Sequence, residues 1–185
     1  STRAMGFCMS KHHAEFMADY FVKHGVSACA VYSGDEGVHN TAREKALSKL
    51  VKGEINVIFS VDMFNEGLDI ASLDMVMMLR PTESPTIFLQ QLGHGLRLYK
   101  DKHYLNVLDF IGNYKKANFS PYLMTGASKS QFKKASDVIK EDSLLPEDCI
   151  MDFDFRLIDL FEKMDRSSIK IEKLLVEEYE RIKAE

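Results

Sequence analysis

The chain has 185 residues, 45% of them apolar with 12 Phe and 10 Met, enough for one core-bearing domain with an appendage or for two small domains. Its net charge of −4 is evenly spread: residues 1–112 carry 11 Lys and Arg against 13 Asp and Glu, and residues 113–185 carry 13 against 15. With no basic block, any nucleic-acid contact must be local, and with no apolar run near the ~18 residues that span a bilayer, no membrane partner is expected.

Three cysteines (Cys8, Cys29 and Cys149) are far apart, odd in number and free of a C-x-x-C pair, which predicts a reducing, cytoplasmic setting and no zinc site. His12, His13, His39 and His103 show no ligand spacing, so no metal ligand is assigned. No signal peptide is evident. The chain opens straight into a strand-like run, so a fragment of something longer is expected.

In chain order, Ala4 to Met9 reads as a buried strand ending at Ser10. Ala14, Met17, Ala18, Phe21 and Val22 then recur at helical spacing, with Ser10 as N-cap and Gly25 closing the helix. Ala28 to Tyr32 is a second strand, leading into the turn Ser33-Gly34-Asp35-Glu36-Gly37. Thr41 and Glu44 suit a capping box for a helix whose Ala46, Leu47, Leu50 and Val51 share a face up to Gly53. Ile55 to Val61 is a third strand, apolar throughout as a parallel strand covered on both faces should be. Asp74 to Leu79 is a fourth and Tyr104 to Ile111 a fifth.

Strands alternating with helices at this rhythm predict a doubly wound α/β sheet with helices on both faces. Ligands of such sheets meet the loops beyond the carboxyl ends of the strands, here those after Val61 and Leu79. Beyond residue 112 the pattern turns helical, over Gln131 to Lys140, Phe155 to Met164 and Ile169 to Ile182, with a linker around Pro146. The expected domains are therefore 1–112 and a helical appendage over 113–185.

Between the fourth and fifth strands lies Gln90-Gln91-Leu92-Gly93-His94-Gly95-Leu96-Arg97. Ser84 and Pro85 suit the start of a helix, and Ile87, Phe88, Leu89 and Leu92 can supply its buried face. Gly93 and Gly95 then break that helix or bring its backbone close to something, and Arg97 follows as a fixed charge. A Gln, a glycine-loosened turn and an Arg at this spacing suit a surface that meets a phosphate.

The octapeptide resembles motif VI of the superfamily 2 helicases, Gln-x-x-Gly-Arg-x-x-Arg, which lies on the second RecA-like domain and lends arginine fingers to ATP on the first. Gln90, Gly93 and Arg97 match, while His94 stands in place of the first arginine. The resemblance gives Arg97, Gln90 and His94 catalytic places and sets Gly93 beside the nucleotide. Ser60-Val61-Asp62-Met63-Phe64-Asn65-Glu66-Gly67-Leu68-Asp69-Ile70 looks like motif V, whose early part touches the nucleic-acid backbone and whose Gly and Asp lie beside the nucleotide. Gly67 and Asp69 match, and Val61 sits where many relatives carry Thr.

Phe7-Cys8-Met9-Ser10 is placed like motif IV, with Ser10 and the free amides of a helix start as an anion site. Tyr32-Ser33-Gly34 with Arg43 resembles the segment between motifs IV and V. By resemblance, then, Phe7, Ser10, Ser33, Gly34, Ser60 and Val61 form the nucleic-acid grip. The form Asn-Glu-Gly-Leu-Asp-Ile is closer to the UvrB and type III restriction branch than to the DEAD-box branch. Arg80 to Ser84 and Leu108 to Asn113 are similar to a bacterial subgroup that carries a further domain behind the motor.

The sequence contains no Gly-x-x-x-x-Gly-Lys-Ser/Thr phosphate loop and no Asp-Glu-x-His box, so it cannot cradle ATP and its magnesium alone. The resemblance implies the second motor domain of an ATP-dependent DNA helicase or translocase, with a RecA-like (P-loop NTPase-like) fold. ATP and Mg2+ would then be held mainly by a first RecA-like domain of the same full-length chain. Single-stranded or duplex DNA is the expected track, with RNA as the alternative. The competing reading is a RecA-like interaction module without ATPase activity, for which His94 and Val61 speak.

Overall fold

A computed structural model of the chain describes residues 2–34, 37–61, 72–80, 90–93, 95, 102–110, 120–125, 127, 130–131, 134–139, 144–145, 149–150 and 152. The chain divides into two units, Ser1–Phe110 and Ile111–Glu185. In the first, five strands form one sheet: β1 (Ala4–Phe7), β2 (Ala28–Val31), β3 (Val57–Ser60), β4 (Met75–Met78) and β5 (Asn106–Asp109). Their order is β2-β3-β1-β4-β5, and every neighbouring pair is parallel. All five strands expected from the sequence are present, each shorter by a residue or more at its ends.

The apolar runs are continuous because both faces of the sheet are covered. On one face Ala4, Cys8, Ala30, Tyr32, Val57, Phe59 and Met77 pack with Ala14 and Ala18 of α1 (Lys11–Lys23). The alternate residues Met5, Phe7, Cys29, Val31, Ile58, Val76 and Met78 are buried as well. Small residues on α1 let the helix lie close, and the larger Phe21 ring meets Phe59 edge-on at 5.0 Å between centroids. β2 and β5 are the edge strands of this sheet, and the alternation of exposed and half-buried side chains on β5 contrasts with the fully buried β1 and β3.

The helix signals of α1 act as expected. Ser10 is extended (φ −152°, ψ 163°), and its Oγ accepts the His13 N–H at 3.2 Å. α2 (Arg43–Lys52) ends on left-handed Gly53, but its start corrects the sequence reading: the N-cap is Ala42, and no side chain caps the helix. Thr41 is drawn instead into pairing beside β2, its N–H donating to the Ala30 carbonyl at 2.9 Å. Thr41 thus lies one residue outside the cap position that a capping box needs.

In the second unit, α3 (Ser120–Thr125) and α4 (Ala135–Ile139) pack together, with Tyr122 and Val138 buried. α4 begins four residues after the expected Gln131, because Ser130 and Gln131 form a turn. The helices expected over 155–164 and 169–182 lie outside the described residues. Among the described residues no helix is long and apolar enough to cross a membrane.

Candidate nucleic-acid and nucleotide interface

The chain leaves β1 toward one side of the sheet and β4 toward the other, so the switch point falls between these two neighbours. Their carboxyl ends carry Cys8-Met9-Ser10 and Leu79-Arg80. The ends are stitched to the sheet by Cys8 N–H to the Ser60 carbonyl at 2.8 Å, Leu79 N–H to the Phe7 carbonyl at 3.1 Å and Val61 N–H to the Val31 carbonyl at 3.1 Å. The motif IV-like and early motif V-like segments thus share one edge of the sheet.

At the β1 exit, Ser10 is exposed, and His13 accepts the Met9 N–H through Nδ1 at 3.4 Å. Burial and the neighbouring His12 lower the His13 pKa, which favours the neutral ring this acceptor role needs. At the β2 exit a rigid turn forms around Glu15. Its carboxylate accepts the Tyr32 hydroxyl at 2.8 Å and the His39 N–H at 3.0 Å. Gly37 (φ +120°) passes so close that a Cβ would fall 1.9 Å from the Tyr32 hydroxyl. Asn40 clamps the turn by donating to the Gly34 carbonyl at 2.6 Å, which leaves Ser33 and Gly34 exposed on its outside. Lys11 lies with Nζ 5.6 Å from the Tyr32 ring centroid, bringing a cation to this edge.

Phe7 and Ser60 are 2% and 1% exposed, and Val61 is half-buried against the core. Of the residues expected in the grip, these three are covered in this domain, and Ser10, Ser33 and Gly34 are the exposed members. The strand pattern explains the difference, since a residue at a covered strand end points into the helix layer. Burial pushes the Cys8 thiol up to about 12 against the pull of Arg80, and Cys29 up to about 11. Both thiols stay protonated at neutral pH, and Cys8 at the switch point is no nucleophile. No group of three or more His, Cys, Asp and Glu that could hold a metal occurs among the described residues.

Of the motif VI-like stretch, residues 90–93 are helical and Gly95 lies in the following turn, its N–H donating to the Leu92 carbonyl at 2.9 Å. Gln90 is exposed, and nothing lies within 4 Å of a Cβ placed on Gly93, so the matched Gln and Gly face open space. Gly67, Asp69, His94 and Arg97 lie outside the described residues. Beside Gln90 stands a residue the sequence reading missed: Gln91 is 0% exposed, and neither of its amide atoms has a hydrogen-bond partner among the described residues. Its place four residues after Ile87, on an apolar helical face, was the available signal.

An amide desolvated without partners costs about 1–3 kcal/mol. Gln91→Leu, of similar size, is therefore expected to stabilise the fold by about 1 kcal/mol in urea denaturation; a destabilised variant would mean the amide is satisfied in solution.

Five parallel strands in a doubly wound order, with polar loops gathered at the carboxyl edge, define a RecA-like domain. Residues 1–98 match the helicase conserved C-terminal domain, and the chain belongs to that family. It is 30% identical over 106 residues to IRC3, a Saccharomyces cerevisiae protein named for ATP-dependent helicase activity, covering 57% of this chain and 15% of that one. It is likewise 30% identical over 112 residues to UvrABC system protein B of Thermosipho africanus, covering 54% of this chain and 16% of that protein. The chain thus spans about 15% of the length of these curated relatives.

Among solved structures, the C-terminal domain of the DEAD-box protein Dbp5 superposes with a TM-score of 0.55 at 14% identity, covering 68% of this chain and 69% of that chain. A Saccharomyces cerevisiae Dbp5 variant bound to RNA and ADP BeF3 gives 0.54 at 16% identity, over 66% and 32%. At these identities the likeness is one of fold.

Proposed function

We propose that this chain is the second motor domain of an ATP-dependent DNA helicase or translocase of the UvrB-like branch, working in the bacterial cytoplasm. The observation that carries the reading is the arrangement of the carboxyl edge. Ser10 at a capped helix start and the clamped Ser33-Gly34 turn are exposed on the same edge that feeds the motif V-like loop. A phosphate backbone is held by such elements: a helix start offers free amides, and a rigid turn presents its own backbone groups.

The nucleotide side of the mechanism rests on motif VI. Arg97, with Gln90 and His94, closes on the phosphates of ATP held by a first RecA-like domain of the full-length chain, while Gly67, Asp69 and Gly93 line the approach. Positive charge placed where the transferred phosphoryl group gains charge lowers the barrier, and withdrawing it on opening resets the cycle. Mg2+ belongs to the first domain, whose phosphate loop and acidic box this sequence lacks. Repeated closure, with the carboxyl-edge loops gripping one strand, steps the protein along it. Residues 113–185 begin a further domain behind the motor.

Purified residues 1–185 are expected to hydrolyse no ATP and to bind a thymidine oligonucleotide weakly. With a few phosphate contacts, log K against log salt should fall with a slope of about −1 to −2, at roughly 0.7 per phosphate neutralised on a single strand. ATP turnover that survives Arg97→Ala, or tight binding that ignores salt, overturns the assignment. A marked preference for a uridine RNA oligonucleotide would move the track from DNA to RNA. No binding to either would favour the non-motor module.

A further inference from the structure

The turn that carries the motif VI-like residues is tied down by a side chain that no motif includes. The Lys102 ammonium donates a hydrogen bond to the Gly95 carbonyl, one residue after His94 and two before Arg97. Carbonyls at a helix end lack intrahelical partners and carry the negative end of the helix dipole, so a lysine is well matched to them.

Gly95 itself is buried, and its Cα rests on Leu105: a Cβ there would meet Leu105 Cδ1 at 2.5 Å and Cδ2 at 2.7 Å. Together with the Gly95 N–H bond to the Leu92 carbonyl at 2.9 Å, this fixes the residue from three sides.

The anchor is itself anchored. Burial lowers the Lys102 pKa, while the Asp74 carboxylate acts on it in the opposite sense. Asp74 Oδ2 accepts the Arg3 N–H at 2.9 Å, and the Asp74 carbonyl accepts the Asn106 N–H at 2.9 Å. Arg3, Asp74 and Asn106 stand where β1, β4 and β5 begin. Lys102 thus holds the Gly95 turn from the segment that leads into β5, whose first residue Asn106 is bonded to the Asp74 carbonyl.

The geometry points to Lys102 as a positioning residue for motif VI: it holds the Gly95 turn that follows Gln90 and Gly93 and that precedes Arg97 in the sequence. This rests on the motor reading above and goes beyond it, since Lys102 belongs to none of the motif-like segments. Displacing a catalytic group by ~1 Å can cost on the order of 10² in rate. Losing one of three restraints is expected to lower kcat by about fivefold, the Leu105 contact and the Leu92 bond holding the rest.

The test uses Lys102→Met and Lys102→Arg in the full-length protein. Lys102→Met should lower kcat for nucleic-acid-stimulated ATP hydrolysis about fivefold, with KM for ATP, DNA affinity and melting temperature unchanged; Lys102→Arg, which can still donate to the carbonyl, should recover most of the rate. In residues 1–185, the Gly95 amide should exchange faster with deuterium in Lys102→Met, while amides of β1 and β3 keep their protection.

An unchanged kcat in Lys102→Met overturns the proposal, as does an equal loss in Lys102→Arg. Unaltered Gly95 exchange also overturns it, whatever the kinetics. A wild-type protein without any ATPase activity removes instead the motor reading, a result the exchange measurement on the shorter chain keeps distinct.

Discussion

Phe59→Ala is expected to lower the unfolding free energy of the α/β unit by about 3–5 kcal/mol, the usual range for emptying a buried aromatic site. Phe59 sits on β3 beside the central strand β1, with 0% of its surface exposed. Its register partner is Gly6, and the ring occupies the space over that glycine: a Cβ on Gly6 would lie 2.6 Å from Phe59 Cδ1. The other side of the ring takes the edge of Phe21 from α1. One side chain thus joins β3, β1 and α1, and the cavity left by alanine is bounded by the β1 backbone at Gly6 and by the Phe21 ring, which limits its collapse.

Against a total stability of about 5–15 kcal/mol, this loss takes about a fifth or more. Urea denaturation should show the midpoint falling with little change in slope.

A coupling follows from the same geometry. Gly6→Ala alone collides with the ring, whereas in the Phe59→Ala background its methyl enters the vacated space. The double variant should therefore be more stable than the sum of the two single losses implies, by about 1 kcal/mol or more. Strict additivity would mean that the ring does not rest on Gly6 in solution.

Gly6 also marks where the sequence stops being informative. The five strands were legible because each is an apolar run bounded by polar turns, and burial on both faces of a parallel sheet demands that composition. Ser10 was legible because N-capping needs only a hydroxyl three residues before a free N–H. The same local logic failed at Thr41. There the chain pairs with β2, a long-range competitor that spacing cannot reveal.

Site residues divided along the same line. Ser10, Ser33, Gly34, Gln90 and Gly93 are exposed or open, whereas Phe7, Ser60 and Val61 sit inside the motif strings but are covered by the core. A motif written in letters does not separate the residue that touches from the one that supports. Lys102 and Gln91 were invisible for the converse reason, since neither belongs to a motif and both owe their significance to packing.

His94→Arg in the full-length protein is expected to raise the turnover number for ATP hydrolysis at least tenfold, equivalent to ~1.4 kcal/mol of barrier. The position is framed by described neighbours: open Gly93 on one side and the pinned Gly95 on the other. The difference between histidine and arginine at this position is chemical. Arginine is permanently charged and can hold two phosphate oxygens at once through its planar fork. Histidine offers one donor to a given oxygen, and as an isolated side chain it is mostly neutral above pH ~6.5.

An arginine finger elsewhere contributes on the order of 10³–10⁵ in rate. On the proposed motor reading Arg97 carries part of that here, so a tenfold gain is the floor. The pH profile supplies the second readout. The histidine form should hydrolyse ATP faster as pH falls from about 7.5 toward 6, because the imidazole gains the charge that the phosphates attract. The arginine form should be flat over the same interval, since its charge does not titrate there. Steady-state kinetics of the two proteins across that range decide the matter: equal turnover numbers and parallel, flat profiles would show that residue 94 faces away from the cleft and that Arg97 acts without it.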